Sequence, residues 1–189
     1  MMPQDRMPPL APEKLDAEQK KAADAFTASR GIAPFGPFVP LLRSPEVMTR
    51  AAALGEYLRY RNSLPKRLSE LAILVAARVW TQQFEWHHHS RFALEAGLDA
   101  KLIAELAEGR RPERLAEDEA VVYDFAMELH RNRSVSDGTY AKALAALGEK
   151  GIIDLVGIAG YYGLLAMAMN VARTPLPPGV EPPLPAMPH

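Results

Sequence analysis

A glutamate, a tryptophan and three consecutive histidines share one short segment that reads as a helix, QQFEWHHHSRFALEAG at residues 82–97. A carboxylate and an imidazole one helical turn apart, such as Glu85 and His89, lie within side-chain reach of each other. Burial and a charged neighbour can bring the pKa of such a group close to neutrality, where it transfers protons efficiently. The segment therefore predicts an acid–base site, provided that these two side chains face the protein interior.

Helical periodicity indicates which of these side chains face inward. Successive helical residues point about 100° apart, so His87, His88 and His89 cannot all face one side. The apolar stripe at the end of the segment, extended towards the N-terminus by steps of three and four, reaches His89, Glu85 and then Gln82. We therefore predict that these three residues are buried, and that His87 and His88 lie at the surface or at a subunit contact.

A second carboxylate is predicted to join this site from the preceding helix. Glu70 leads directly into the apolar run LAILVA at residues 71–76, where a carboxylate lies either at the helix rim or against a polar partner. A short loop joins the two helices and makes them antiparallel neighbours. Glu70 and His89 then lie towards the same end of the pair. The sequence thus predicts two carboxylates, an imidazole and an amide between two core helices.

Helical periodicity continues through most of the chain, and no alternating strand pattern is present. Glycine and proline separate the helices, and a proline-rich connector covers residues 31–45. The predicted helices cover residues 13–29, 45–61, 66–81, 84–96, 100–108, 117–132, 137–147 and 152–172. We predict an all-α protein, a compact bundle of about six to eight helices in a single domain at residues 1–173. A proline-rich extended tail follows at residues 174–189.

The bulk composition excludes several classes of protein and site. The formal net charge of -1 and the pI near 6.5 argue against a nucleic-acid partner, because such proteins usually carry a basic excess. The chain has no cysteine, and therefore no disulfide, thiolate nucleophile or cysteine-ligated metal. The initial segment MMPQDRMPPLAPEK has no apolar core and does not read as a secretory signal. A cytoplasmic location is expected.

Residues 152–172 are the most apolar segment, in which only Asp154 and Asn170 are strongly polar. The segment is long enough to cross a bilayer. In a chain with such evenly distributed charge, a central helix buried on all sides is the better interpretation, and no membrane association is predicted. Tyr161 and Tyr162 are expected to pack in the core, with the alternative that one of them closes a cavity with its hydroxyl. Such a helix has more apolar surface than one small domain covers easily, which favours a homo-oligomer.

The stretch ELAILVAARVWTQQFEWHHHSRFALEAGL resembles the signature region of the carboxymuconolactone decarboxylase-like superfamily, which includes the alkylhydroperoxidase-D-like (AhpD-like) proteins. The resemblance spans roughly residues 45–172 and implies an AhpD-like helical fold that assembles as a trimer or hexamer. The peroxidase branch of the family has a Glu, two Cys and a His. In this chain the Glu is Glu70 and the His is His89, whereas Gln82 and Glu85 occupy the two Cys positions.

The missing cysteines favour the decarboxylase branch of the superfamily. Neither Gln82 nor Glu85 can supply the thiolate that attacks a peroxide. The decarboxylase branch resembles this chain in its Glu-x-x-x-His pair, here Glu85 and His89. The resemblance implies a cofactor-free lyase of carboxymuconolactone decarboxylase type that acts on a small-molecule carboxylate from aromatic catabolism. His89 would be the acid–base group, Glu85 would orient it and Glu70 would support the pair.

Four further residues are candidates for substrate binding. Gln82 can donate a hydrogen bond to the substrate, and Trp86 beside the site can form a wall of the pocket. A cation should hold the substrate carboxylate, and Arg78 and Arg91 are the nearest candidates along the chain.

Two other functions stay open. The chain can be an alkylhydroperoxidase-like (peroxiredoxin-type) antioxidant superfamily member that has lost the thiol site, or a non-enzymatic oligomeric binder of a small ligand. A metal site is not predicted, because Glu85 and His89 need a third ligand. Glu70 and the distant His130 are the candidates for it, but no His-x-x-x-His or comparable spacing is present.

Overall fold

The computed structural model describes residues 4–185. Over this range the chain forms eight α-helices and one short 3₁₀-helix, and it contains no strand. The 3₁₀-helix is Pro12–Lys14, and the α-helices are α1 Ala17–Arg30, α2 Phe38–Leu41, α3 Pro45–Tyr60, α4 Lys66–Val79, α5 Gln83–Glu95, α6 Ala100–Ala107, α7 Glu117–Asn132 and α8 Asp137–Ala172. The prediction of an all-α bundle is confirmed.

Local sequence explains where the first helices begin and end. Asp16 accepts a hydrogen bond from the Gln19 N–H, and the Gln19 side chain accepts one from the Asp16 N–H, which gives α1 a reciprocal N-terminal cap. Gly31 ends α1 at a φ of 72°, a conformation that favours glycine. Pro45 lies in the first turn of α3, where its missing N–H needs no helical partner.

The connector between α1 and α3 is folded against the core rather than extended into solvent. It contains one helical turn, α2, in which Phe38 and Leu41 are buried. The ring of Phe38 lies 4.6 Å from that of Phe26 in α1, measured between centroids. These contacts hold α1 and the connector over the bundle, next to the N-terminal half of α5.

Helix α4 is the centre of the bundle and is buried from Leu68 to Arg78. It packs against α5, α7 and the long helix α8, while α3 contacts α1 and α8 on the outer side. Every residue of α4 between Leu71 and Ala77 is at most 1% exposed. A polar side chain on this helix therefore has to find its partner inside the protein.

Helix α8 joins the two helices predicted for residues 137–147 and 152–172. Gly148 has a φ of 67° and kinks the element instead of ending it. Helix α8 is long and apolar enough to span a bilayer, but 61% of its most apolar window is buried inside the same chain. Within one chain this helix is not buried on all sides, because an apolar stripe stays exposed at Ile153, Val156, Leu164, Met167 and Val171.

The proline-rich tail returns to the body of the same chain. After α8 the described residues 174–185 contain no helix. The side chain of Gln83 donates to the backbone oxygen of Leu184 at 2.8 Å and accepts from its N–H at 2.9 Å, and Leu184 is buried. This part of the tail therefore covers the start of α5, whereas residues 186–189 of the predicted tail lie outside the described residues.

Candidate active site

A small cavity of about 40 Å³, lined by both polar and apolar side chains, lies between α3, α5, α8 and the connector. That volume accommodates roughly three water molecules. The side chains that bring polar groups to its wall are Arg30, Arg59, Glu85, His88, His89, Tyr161 and Tyr162. Two of these seven residues were predicted as catalytic, and the other five were not among the predicted site residues.

His89 is held by Glu70 across the interface of α4 and α5. Its Nδ1 lies 2.8 Å from Oε2 of Glu70, and both side chains are buried. The antiparallel arrangement predicted for these helices brings the two residues together. Burial lowers the pKa of His89, and the hydrogen bond and charge of Glu70 only partly oppose this effect. The imidazole is therefore neutral near pH 7. Donation from Nδ1–H to Glu70 leaves Nε2 unprotonated, as a base.

Glu85 has no partner, and the predicted pairing of Glu85 with His89 does not form. The Glu85 carboxyl accepts no hydrogen bond within residues 4–185, and its Oε2 is fully buried. The physical reason is that Glu70, on the facing helix, already occupies Nδ1 of His89. Burial raises the pKa of Glu85 well above its ordinary value. Glu85 is thus a neutral carboxylic acid that lines the same cavity as a neutral imidazole.

Tyr161 and Tyr162 pack in the core, as expected, but they also line the cavity. Neither hydroxyl forms a hydrogen bond with any described residue. Burial raises the pKa of Tyr161 to about 12 and that of Tyr162 well above its ordinary value, so both are neutral donors. The Tyr162 ring lies 5.0 Å from the His89 ring, between centroids. A Cβ at Gly55 of α3 would overlap the Tyr161 hydroxyl, so this approach requires glycine.

Arg59 is a cation at the cavity that was not predicted from the sequence. It lies on α3 and lines the cavity, and its guanidinium carbon is 4.6 Å from the centroid of the Phe92 ring. Its Nε is buried and has no hydrogen-bond partner in the described part of the chain. A signal was present in the sequence, because Arg59 follows Gly55 by four residues and therefore lies on the same helix face as that buried glycine.

His88 is less exposed than a residue on an open surface, and its predicted role at a subunit contact stays a prediction. It lines the cavity and is only partly exposed, since the connector covers its side of α5. The ring of His88 lies 5.8 Å from that of Phe35, between centroids. Burial lowers the pKa of His88 to about 4, so that it is neutral at pH 7. The periodicity of α5 could not reveal this contact, because Phe35 belongs to a distant segment without periodic pattern.

The predicted substrate-binding residues Gln82 and Trp86 do not line the cavity. Gln82 is the N-cap of α5: its side-chain oxygen accepts from the N–H groups of Phe84 and Glu85, and its Nε2 donates to Asn170 at 2.9 Å. All its polar atoms are thus used in structure. Trp86 is 3% exposed and belongs to the hydrophobic core.

The predicted carboxylate-binding residues Arg78 and Arg91 also lie away from the cavity. Arg78 is buried at the end of α4, where its Nη1 is 3.3 Å from the Thr81 hydroxyl. Arg91 is on the solvent face of α5, with Nε 3.8 Å from Oε1 of Glu95. Closeness along the chain does not determine which helix face an arginine occupies, and this prediction depended on closeness alone.

No group of three or more His, Cys, Asp or Glu side chains in residues 4–185 is arranged to hold a metal ion. Near the cavity, Glu70 is engaged with His89, and Glu85 is the neutral acid described above. The arrangement offers proton transfer and hydrogen-bond donation to a bound small molecule.

Comparison with known proteins agrees with this fold. Residues 45–122 match the Carboxymuconolactone decarboxylase family, a span that includes Glu70, Glu85 and His89. No functionally curated protein gives a significant match. The solved structure of an alkylhydroperoxidase AhpD core, an uncharacterized peroxidase-related protein from Ralstonia eutropha JMP134, has a TM-score of 0.73 and 13% identity over 93% of this chain and 94% of that chain.

A second similar structure is the debrominase Bmp8. Its cysteine-to-alanine variant in complex with 2,3,4-tribromopyrrole has a TM-score of 0.69 and 13% identity, covering 91% of either chain. Its apo form has a TM-score of 0.68 at 13% identity over 90% of this chain and 91% of that chain. At such low identity the likeness concerns the fold. The matched region and the fold are both similar to those of the carboxymuconolactone decarboxylase-like, AhpD-like superfamily, and this chain contains no cysteine.

Proposed function

We propose that the protein is a cofactor-free decarboxylase (lyase) of carboxymuconolactone type, with its acid–base site in the cavity between α5 and α8. The supporting observation is a buried cavity where a neutral acid, Glu85, and a neutral base, His89, face the same space. Folded proteins rarely leave buried polar groups without partners. Titratable groups whose pKa values are moved in opposite directions are typical of acid–base catalysts.

The chemistry needs a proton donor and hydrogen bonds to a developing anion. When the bond between the carboxylate carbon and a lactone ring breaks, CO₂ leaves and its electron pair enters the ring as a dienolate. The neutral hydroxyls of Tyr161 and Tyr162 can donate to the dienolate oxygen. Glu85 supplies the proton that the ring carbon takes up. His89, oriented by Glu70, then takes up a proton from solvent and transfers it to the Glu85 carboxylate. Each turnover thus consumes one proton and releases one CO₂.

The substrate carboxylate needs a cation, and Arg59 replaces Arg78 and Arg91 in this role. Arg59 lines the cavity and has a buried Nε without partner. A guanidinium recognises a carboxylate through its parallel N–H groups, and the interaction is stronger where water is excluded. The proposed site thus holds the leaving carboxylate at Arg59 and the ring between Glu85, His89 and the two tyrosines.

The test is CO₂ release from a panel of carboxylated butenolides with the wild-type protein and with His89→Gln and Glu85→Gln. We expect each substitution to lower kcat by roughly 10²–10⁴-fold, the usual contribution of a positioned acid or base. Glu70→Gln should lower activity less and move the pH profile to lower pH, because Glu70 raises the pKa of His89. His87→Gln, an exposed neighbour, is the matched control and should keep full activity.

Unchanged turnover in His89→Gln and Glu85→Gln would contradict the proposal. So would turnover of a peroxide with a dithiol reductant, which is the activity of the thiol branch of the superfamily. Circular dichroism of each variant separates a catalytic loss from a loss of fold.

A further inference from the structure

We infer that the cleft between α1 and α3 binds an apolar arm of the substrate, so that the substrate is a carboxylic acid with an extended alkyl or aryl group. The inference rests on the proposed function for the reactive end of the molecule. The place of the arm is inferred from the shape and charge of this cleft and from its position beside the cavity. The decarboxylation chemistry itself does not require such an arm.

The cleft is large and its walls are mostly apolar. Its volume is about 610 Å³, within the range of roughly 300–1,000 Å³ typical of small-molecule sites. Small and apolar side chains of α1 and α3 face each other across it, and they are Ala22, Ala25, Phe26, Met48, Ala52 and Ala53. Alanine on both helices leaves a groove of a width that larger side chains would close.

The cleft adjoins the cavity that contains His89. Arg30, Phe35, Arg59 and His88 line both spaces, so these four side chains form the wall between them. The inner cavity of about 40 Å³ is too small for a lactone. A substrate that reaches His89 therefore has to displace part of this wall, and any group beyond the reacting ring extends into the cleft.

The charges at this wall fit a carboxylate. Arg30 lies over the Phe26 and Phe38 rings at 5.0 and 5.1 Å from their centroids, and its Nη2 donates to the backbone oxygen of Ala52 at 3.1 Å. Neither Arg30 nor Arg59 forms an ion pair with a carboxylate of the described residues. Two partly buried cations without a counterion favour an anionic ligand.

The rest of the cleft does not compete for these arginines. Among the described residues, Glu56 is the one acidic side chain that lines it, and its Oε1 is 3.2 Å from Nη2 of Arg61. His88 is neutral at pH 7 because burial lowers its pKa to about 4. The cations thus lie at the inner end of the cleft and the apolar surface lies beyond them. An amphipathic carboxylate matches this order.

Calorimetric titration of the full chain with butanoate, octanoate and dodecanoate tests the inference without turnover. Octanamide is the uncharged probe of matched length. We expect affinity to rise from butanoate to octanoate by up to about fourfold per methylene, the effect of transferring it out of water. Octanamide should bind about tenfold or more weakly than octanoate. Arg59→Met should weaken binding of all three carboxylates.

Substitutions in the cleft locate the arm. Ala25→Phe and Ala53→Phe place a ring in the groove from exposed positions, so they should preserve the fold. Each should weaken octanoate by at least about tenfold and leave butanoate unchanged. Ala28→Phe, exposed on α1 but outside the cleft, is the matched control and should have no effect.

Equal affinity for butanoate and octanoate, or octanoate binding that Ala25→Phe and Ala53→Phe do not change, would overturn the inference. The inference would also be overturned if the wild-type protein binds none of the carboxylates and Ala53→Phe changes the sedimentation coefficient. A second copy of the chain, rather than a substrate arm, would then occupy the cleft. Length-dependent binding by a protein that decarboxylates no lactone would support the cleft assignment while contradicting the proposed reaction.

Discussion

At the residue scale, Glu85 and His89 lie one turn apart on α5 and respond in opposite ways to the same surroundings. Burial disfavours the charged form of either group, so it raises the pKa of the carboxyl and lowers that of the imidazole. Only His89 has a charged partner, Glu70. An acid that keeps its proton near neutral pH next to a base that lacks one is the arrangement that proton transfer requires.

The unpartnered carboxyl should make stability depend on pH. Below about pH 4.5 Glu85 is protonated in both the folded and unfolded states. Above it the unfolded chain loses this proton while the folded chain keeps it, because the folded-state pKa is raised. The free energy of unfolding then decreases by about 1.4 kcal/mol per pH unit up to the folded-state pKa. Glu85→Gln has no such proton, so its stability relative to wild type should increase between pH 4.5 and 7.5.

Guanidinium denaturation at these two pH values measures this difference. Glu95→Gln, on the exposed face of the same helix, is the control and should change stability by less than about 0.5 kcal/mol at either pH. A Glu85→Gln variant that becomes less stable relative to wild type as the pH rises would contradict a neutral Glu85.

At the element scale, the site depends on how closely α3 approaches α8. Gly55 on α3 accommodates the Tyr161 hydroxyl, and Gly157 on α8 faces Leu58, where a Cβ would lie 3.0 Å from a side-chain methyl group. Glycine lowers helix propensity by about 1 kcal/mol relative to alanine. Glycine at both crossing points therefore indicates that close helix packing, rather than helix propensity, determines the residue type at these positions.

Gly55→Ala is expected to destabilise the protein by about 1–3 kcal/mol, because overlap with Tyr161 outweighs the gain in helix propensity. It should also weaken ligand binding, since the displaced ring lines the cavity. Gly138→Ala in the first turn of α8 is the matched control, as a Cβ there meets nothing within 4 Å. Thermal and denaturant unfolding of both variants measure the difference, and a stabilised Gly55→Ala would contradict the packing described.

At the scale of the whole molecule, the exposed apolar stripe of α8 supports the prediction of a homo-oligomer. Ile153, Val156, Leu164, Met167 and Val171 follow one another at steps of three, four or eight residues and so lie along one side of the helix. Ile153 and Val171 are 67% and 57% exposed. An apolar stripe of this length on a protein surface is typical of a binding surface for another protein.

Ile153→Lys combined with Val171→Lys should therefore reduce the sedimentation coefficient of the assembly. The lysine ammonium groups would be buried at the interface between copies without carboxylate partners, which is unfavourable. Leu94→Lys is the control, since Leu94 is 49% exposed on α5, away from the stripe. Analytical ultracentrifugation gives the result. If wild type sediments as a monomer, or if the double variant sediments unchanged, this stripe does not hold the oligomer together.

The sequence alone determined helix α1, helices α3 to α7 and the two parts of α8, the burial of Gln82, Glu85 and His89, and the exclusion of thiol chemistry. These properties are local: helix period and residue type are read along the chain, and a polar residue in an apolar stripe is visible before any packing is known. The meeting of Glu70 with His89 followed from the short loop between their helices.

Only the tertiary structure decided which groups surround His89. Arg59, His88, Tyr161 and Tyr162 reach the cavity because α3, the connector and α8 cross α5 at particular angles and registers. Such crossings depend on how side chains of distant segments interlock, and helical periodicity in one segment does not contain that information. The same limit explains why Glu85 was paired with its neighbour on α5, whereas the partner of His89 lies on the facing helix.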